Sequence, residues 1–125
     1  MDNRKKTLLI QKAVVKKGNK FLILLRPPNA KFWPEHWDFP GGKLEMGEEP
    51  FKGIEREVFE ETSLKVKAVK VVGVYEFEVH GEMHHFSVYS TKITSGEVKI
   101  SHEHLDFRWA TKEDILKLKI EPYIE

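Results

Sequence analysis

Residues 42–64 of the chain read GKLEMGEEPFKGIEREVFEETSL, and this stretch decides the fold. Apolar Phe51, Ile54 and Val58 recur in it at spacings of three and four, which is the repeat of one helix face. Pro50 suits a first helical position, because a proline there removes no hydrogen bond that the helix needs. The spacing predicts an amphipathic helix from Pro50 to Thr62.

Acidic side chains occupy the arc of this helix next to the apolar one. Glu57, Glu60 and Glu61 fall within an arc of roughly 100° when the helix is drawn in projection. Like charges at such spacings cost an isolated helix about 0.2–0.5 kcal/mol per pair, so a cation should lie nearby. Arg56 stands four residues before Glu60 and can neutralise one carboxylate. It leaves Glu57 and Glu61 for a metal ion.

Oxygen ligands favour Mg²⁺, with Mn²⁺ as an alternative. The chain contains no Cys, which excludes thiolate ligands and thiolate nucleophiles. Carboxylate oxygens suit hard cations, and Mg²⁺ keeps several positions for water and substrate phosphate instead of filling them with protein. The helix therefore predicts a metal site that binds a phosphate compound.

The competing interpretation is a solvated acidic helix face, which is the more common reason for such a pattern. The spacing of six residues weighs against it, because a joint match should arise by chance in about one chain of this length in ten thousand. The six are Gly42, Glu48, Arg56, Glu57, Glu60 and Glu61.

The segment from Gly42 to Leu64 resembles the Nudix box, the signature of the Nudix hydrolases. The lead-in FPGGKLEMGE at residues 39–48 is similar to that of MutT-like members. The resemblance implies an α/β fold, namely an α/β/α sandwich with a mixed β-sheet between helices, formed by residues 1–125 as a single domain. It also implies that water hydrolyses a pyrophosphate bond in a nucleoside diphosphate linked to another group, with Mg²⁺ as the cofactor.

The resemblance carries two sets of residues over to this chain. The first set would hold the metal ion, with Glu57 and Glu61 as the principal ligands. Its other members are Glu60 and the carbonyl of Gly41 or Gly42. The second set would position the loop and the helix, and it consists of Arg56 and Glu48.

Two positions of the segment need a local explanation. Ser63 stands where the family carries Gly, and a positive φ at the helix C-cap would cost Ser about 1 kcal/mol relative to Gly. Gly53 lies inside the helix, where Gly costs a similar amount against Ala. We therefore expect another backbone to approach the helix at Gly53.

The general base and the substrate contacts lie partly outside the segment. The base is either a glutamate of the segment or Glu103, and the sequence leaves both open. Arg26 could meet a phosphate, and Trp33 or Trp37 could stack on a nucleobase. Aromatic residues among Pro and Gly more often close a loop against the core, so that alternative stays open for both tryptophans.

The remaining elements follow from apolar alternation and turn residues. We expect strands at residues 8–16 and 21–26, a structured loop at 29–47, a hairpin of strands 66–80 and 83–94 reversing at Gly81-Glu82, a strand at 107–110, and a last helix that begins after Thr111 and ends at Lys117 to Lys119.

Composition limits the partners of the chain. A length of 125 residues predicts one soluble domain, and a net charge of +1 argues against polymeric nucleic acid as a ligand. No apolar run approaches the length of a membrane span and no secretory signal is evident, so we expect a cytoplasmic protein. His84-His85 and His102 to His104 do not form a convincing imidazole metal site. The oligomeric state stays open between a monomer and a homodimer.

Several substrates remain open. Small size and the MutT-like lead-in favour a nucleoside triphosphate, or an oxidised purine one, cleaved to the monophosphate and pyrophosphate. The alternatives are ADP-ribose, a dinucleoside polyphosphate, and a module of the same fold that binds nucleotides without hydrolysing them.

Overall fold

The computed structural model of the protein describes residues 6–124 of the chain. In chain order, its elements are β1 (Thr7–Val14), β2 (Lys16–Lys17), β3 (Lys20–Leu25), β4 (Trp37–Asp38), β5 (Gly41–Lys43), α1 (Pro50–Thr62), β6 (Lys65–Val79), β7 (Glu82–Ser95), β8 (Asp106–Thr111), α2 (Lys112–Ile115) and a short 3₁₀ helix (Pro122–Ile124). Among these residues, no helix is both long and apolar enough to cross a membrane.

Two sheets form the middle of the fold. The first has the strand order β5-β1-β7-β6, in which β1 and β7 run parallel and the other neighbours antiparallel. In the second, β3 pairs antiparallel with β2, β4 and β8. The parallel pair among antiparallel ones is the mixed arrangement that the family resemblance implies.

Successive residues of β3 point to opposite faces and so contribute to two separate cores. Leu22 and Leu24 pack in the core that contains Ile54 of α1. Ile23 packs in the other core with Ile115 of α2. Because a helix covers each face, the predicted α/β/α sandwich is confirmed.

The long hairpin turns one residue earlier than predicted. His80 and Gly81 form the turn with φ angles of 50° and 80°, and Val79 pairs with Glu82. Positive φ at both central residues is the backbone twist that two-residue hairpins favour. The prediction of a reversal at Gly81-Glu82 is wrong because it placed the left-handed Gly first instead of second.

The last helix is shorter than predicted. Helix α2 ends at Ile115, whereas the sequence predicts a helix that ends at Lys117 to Lys119. The segment after α2 bonds to β4 instead, since the Trp37 amide donates to the Lys119 carbonyl at 2.7 Å and the Glu121 amide donates to the Trp37 carbonyl at 3.3 Å. This tertiary pairing brings Glu121 beside β4.

Ser63 ends helix α1 in the left-handed conformation that its position predicts. Its φ is 66°, and its amide donates to the Phe59 carbonyl at 2.9 Å. Its hydroxyl donates to the Lys99 carbonyl at 3.2 Å. The loop after β7 is thus attached to the end of α1 by the side chain of a residue whose backbone is in the left-handed conformation.

Replacing Ser63 by Gly should raise the free energy of unfolding by about 0.5–1 kcal/mol, because the strain of a positive φ exceeds one exposed hydrogen bond. Ser63→Ala keeps the strain and loses the hydroxyl, so it should lower stability. Urea unfolding of the wild type and the two variants measures both changes, provided that the unfolding free energy of all three depends equally on urea concentration. A Gly variant no more stable than the Ala variant would show that φ strain is not the dominant effect.

Candidate active site

Helix α1 places two carboxylates against one dipeptide of β5. The Gly41 amide donates to Glu61 Oε1 at 2.7 Å. A side chain at Gly42 would collide with Glu57, because its Cβ would lie 2.6 Å from Glu57 Cδ. Glycine at 42 therefore leaves room for the Glu57 carboxylate, and both acids lie beside the Gly41-Gly42 backbone.

Arg56 binds the carboxylates of the neighbouring turn. Its Nε donates to Glu48 Oε2 at 2.6 Å, and its Nη2 donates to Glu48 Oε1 and Glu57 Oε1 at 3.0 Å each. The Arg56 hydrogen bond lowers the pKa of Glu48. These contacts hold Glu57 through Oε1, and its Oε2 is the oxygen nearer to Gly42, which is consistent with a positioning role.

Glu60 lies apart from the other two glutamates. Both of its oxygens accept from Arg56 Nη1 at 3.1 Å, and its side chain is 55% exposed. In residues 6–124, no three His, Cys, Asp or Glu side chains are grouped to hold a metal ion by themselves. The structure thus gathers Glu57 and Glu61, but not Glu60, around the glycines.

The protein does not fully compensate the negative charges of Glu57 and Glu61. Burial raises the pKa of Glu61 to about 7, against the opposing effects of Lys12 and His104. Burial also raises the pKa of Glu57, although Arg56 lowers it. A buried and a partly buried carboxylate beside one glycine dipeptide are hard oxygen donors, which fit a divalent cation such as Mg²⁺.

A cavity of about 490 Å³ opens beside this donor set. Glu61, Gly41 and Gly42 lie in its wall together with Glu103 and Arg26. The loop that carries Glu103 is held at the end of α1, since the Lys99 amide donates to the Thr62 carbonyl and the Ser101 amide to the Glu61 carbonyl. The tertiary structure therefore brings Glu103 into the same cavity as Glu61.

The two tryptophans have different surroundings. Trp33 lines the cavity and a second one of about 450 Å³ next to it. Trp37 is 8% exposed and packs in the core with Phe39, because β4 pairs with β3 there. The prediction that Trp37 stacks on a base is wrong, whereas Trp33 stays a candidate.

Arg26 lines the cavity and donates hydrogen bonds to two protein groups. Its Nε donates to the Phe32 carbonyl at 2.9 Å, and its Nη1 donates to Asp38 Oδ2 at 3.3 Å. The Arg26 side chain is thus oriented before any phosphate binds.

Gly53 makes room for side chains and not for a backbone. A Cβ at this position would lie 2.9 Å from both Gln11 Oε1 and Glu48 Oε1. The expected backbone approach is therefore wrong. The glycine is needed because the Glu48 carboxylate must pass close to the helix to reach Arg56.

Sequence reasoning missed a buried polar cluster next to this donor set. Lys12 pairs with Gly41 in the sheet, and His104 lies 3.7 Å from Asp38 Oδ1 and 3.8 Å from Glu61 Oε2. Lys12 Nζ donates to Asp38 Oδ2 at 2.9 Å, and Glu121 and His104 lie beside this pair. Lys12, His104 and Glu121 also line the cavity. One signal was available: Lys12 interrupts the apolar strand β1 with a charge, and a charged residue inside a buried strand is rare unless it is paired.

Comparison with known proteins agrees with this geometry. The family model described as the NUDIX domain matches residues 6–124. The chain belongs to the Nudix family, and it is a hydrolase of the class that acts on pyrophosphate bonds.

Individual relatives are similar to this chain over most of its length. It is 31% identical to a "MutT-like protein" of Streptomyces ambofaciens, over 88% of this chain and 67% of that protein. It is 26% identical to the "CTP pyrophosphohydrolase" of Escherichia coli (strain K12), over 94% of this chain and 85% of that protein. The crystal structure of a MutT protein from Methanosarcina mazei Go1 superposes with a TM-score of 0.88 at 28% identity, over 98% of this chain and 90% of that one.

Proposed function

We propose that the protein hydrolyses a nucleoside triphosphate, or an oxidised purine nucleoside triphosphate, to the monophosphate and pyrophosphate. The observation that carries the proposal is the single cavity that holds the Gly41-Gly42 and Glu61 donor set, Glu103 and Arg26 together. A relative named for CTP as its substrate supports a nucleoside triphosphate over other nucleotides.

Each residue has a defined task in this reaction. Glu57 and Glu61, with the carbonyl of Gly41 or Gly42, would hold Mg²⁺ or Mn²⁺, which neutralises phosphate charge and favours attack by water. Arg56 keeps Glu57 in place, and the Gly41 amide does the same for Glu61. Glu103 takes a proton from the attacking water, and Arg26 contacts a phosphate. Water attack needs no covalent intermediate on the protein.

A panel of substrates with and without Mg²⁺ tests the proposal. We expect release of pyrophosphate and a nucleoside monophosphate from triphosphates, only when Mg²⁺ is present. The second cavity beside Trp33 could receive another nucleoside, so dinucleoside polyphosphates form the second candidate class. Faster cleavage of those or of ADP-ribose would overturn the assignment of the substrate. Nucleotide binding with no release from any compound would favour a binding module.

Replacing Glu103 by Gln should lower kcat by about 10²-fold, because a neutral amide cannot accept the proton of the attacking water. Glu113→Gln, an exposed change in α2, is the matched control and should leave kcat unchanged. Steady-state kinetics with the best substrate measures both. A loss of only a few-fold in Glu103→Gln would return the role of base to a glutamate of α1.

Metal binding should weaken at acid pH, because a divalent cation binds Glu61 as the carboxylate and its pKa is about 7. Mn²⁺ affinity should be about tenfold lower at pH 6 than at pH 8, and calorimetry in two buffers should detect proton release. Without metal, the folded protein binds the Glu61 proton more tightly than the unfolded chain does. The stability that this proton contributes is fully present below pH 4.5 and is lost as the pH rises from 4.5 through about 7. Mn²⁺ affinity that does not change with pH would contradict a role for Glu61 as ligand.

A further inference from the structure

His104 is a buried side chain that has no task in the reaction described above. It lies on the loop after β7 and is 8% exposed. Before it, the Ser101 amide donates to the Glu61 carbonyl of α1 at 3.0 Å. After it, the Leu105 amide donates to the Leu25 carbonyl of β3 at 2.9 Å. The backbone of His104 is thus held between the end of α1 and the end of β3, whatever its side chain does.

Two carboxyl groups lie beside the two ring nitrogens of His104. Nδ1 is 3.8 Å from Glu61 Oε2, and Nε2 is 3.7 Å from Asp38 Oδ1. Each acid is already held through its other oxygen. Glu61 Oε1 accepts from the Gly41 amide at 2.7 Å. Asp38 Oδ2 accepts from Lys12 Nζ at 2.9 Å. The second oxygen of each acid therefore faces the ring.

The ring and the acids have unused hydrogen-bonding capacity. Within residues 6–124, neither His104 Nδ1 nor Asp38 Oδ1 has a hydrogen-bond partner, although both atoms are buried. A buried polar atom without a partner is unfavourable, so such atoms are few in native proteins and call for an explanation. The distances of 3.7 and 3.8 Å exceed that of a hydrogen bond, but a shift of less than about 1 Å would form either bond.

Glu61 has less side-chain support than Glu57. Arg56 Nη2 donates to Glu57 Oε1 at 3.0 Å. Among the described residues, the Glu61 side chain accepts one hydrogen bond, from the Gly41 amide. Groups that orient metal ligands typically change metal affinity or activity by about 10–100-fold, because a fixed carboxylate loses less freedom when a metal ion binds. A second donor to Glu61 would therefore strengthen the site, and the nearest nitrogen on the side of Oε2 belongs to His104.

We propose that His104 is a positioning residue for Glu61, with Nδ1–H donating to Glu61 Oε2 when a divalent cation is bound and Asp38 orienting the ring through Nε2. The proposal rests on the proposed function, because it assumes the metal site of Glu57 and Glu61. Both ring nitrogens donate to carboxylates in this state, so each of them carries a proton. In this role, His104 touches neither the attacking water nor the phosphate.

Two variants of His104 separate this role from a structural one. Asn carries its amide nitrogen at the same number of bonds from Cα as Nδ1, and Gln carries it at the same number as Nε2. His104→Asn keeps a donor for Glu61, so its Mn²⁺ affinity should stay within about threefold of the wild type. His104→Gln loses this donor and should bind Mn²⁺ about tenfold or more weakly. Calorimetry without nucleotide measures both, and equal affinities of the two variants would overturn the proposal.

His85→Asn is the matched control. His85 lies on β7 and contacts Glu76 at 3.1 Å, outside the lining of the cavity, so this change should leave Mn²⁺ affinity unaltered. A His104→Gln protein with wild-type Mn²⁺ affinity but a raised KM would assign His104 to the substrate instead and overturn the positioning role.

The same titration distinguishes this proposal from the proposed function. Mn²⁺ affinity that depends on the His104 donor, in a protein that hydrolyses no nucleotide, would overturn only the proposed function. A wild type that does not bind Mn²⁺ would overturn both, because neither stands without the metal site. Hydrolysis with equal Mn²⁺ affinity in the Asn and Gln variants would overturn only the role of His104.

Should His104→Gln not fold, ¹⁵N NMR of the wild-type histidine rings decides the question. Diamagnetic Mg²⁺ is added without nucleotide. We expect the Nδ1 resonance of His104 to move to the position of an N–H that donates a hydrogen bond, while the ring resonances of His85 stay unchanged. A His104 Nδ1 resonance that is the same without Mg²⁺ and at saturating Mg²⁺ would overturn the proposal.

Discussion

Replacing Glu61 by Gln should lower kcat/KM by at least about 10²-fold while the protein stays folded. Changes to groups that only orient metal ligands already lower metal affinity or activity by about 10–100-fold, so the loss of a ligand should lower activity by no less. The amide is nearly isosteric, and its oxygen can still accept from the Gly41 amide that now bonds Glu61 Oε1. Steady-state kinetics at saturating Mg²⁺, with thermal unfolding to verify the fold, measures the effect.

Glu60→Gln is the matched control for this prediction. The two glutamates are adjacent on α1, but Glu60 is half exposed and bonded to Arg56, whereas Glu61 is 7% exposed and lines the cavity. We expect a change of only a few-fold in the Glu60 variant. Equal losses in both variants would show that the helix uses all three acids, as the sequence alone predicts, and that the observed separation of Glu60 has no functional meaning.

Replacing Lys12 by Met should lower the free energy of unfolding by about 3–5 kcal/mol, the largest change in stability that we expect from a single substitution. The loss comes from Asp38, which would keep a buried charge without its main partner. Arg26 Nη1 at 3.3 Å still compensates part of that charge. Chemical denaturation at pH 7 measures the change.

A double variant identifies the cause of this loss. Lys12→Met combined with Asp38→Asn removes both charges, so it should recover at least about half of the stability lost in the single variant. Lys67→Met on β6 is an exposed control and should change stability by less than about 0.5 kcal/mol. A double variant as unstable as the single one would show that Lys12 acts through packing and not through its charge.

Local spacing was sufficient to predict the helix and its ends. The apolar repeat of Phe51, Ile54 and Val58 gives α1 its observed bounds, because residues three and four apart share a face whatever the rest of the chain does. The left-handed conformation of Ser63 follows from the family resemblance, because the family carries Gly at this position. Arg56 also contacts Glu57 and Glu60, which follow it by one and four residues on the same helix.

Predictions that depended on distant partners were less successful. Trp37 was expected as a candidate for stacking on a base, but pairing of β4 with β3 and with residues 119–121 buries it. The same pairing ends the last helix early. Helix periodicity and loop composition carry no information about such contacts, since they describe only neighbours in sequence.

The sequence by itself determined the α/β class, the helix of carboxylates and the family, because each of these depends on residue types at fixed short spacings. Only the tertiary structure decided which carboxylates meet at Gly41-Gly42 and that Lys12, Asp38 and Glu121 form one buried cluster. Those three residues lie on separate elements, and burial changes their proton affinities only after the sheets have brought them together.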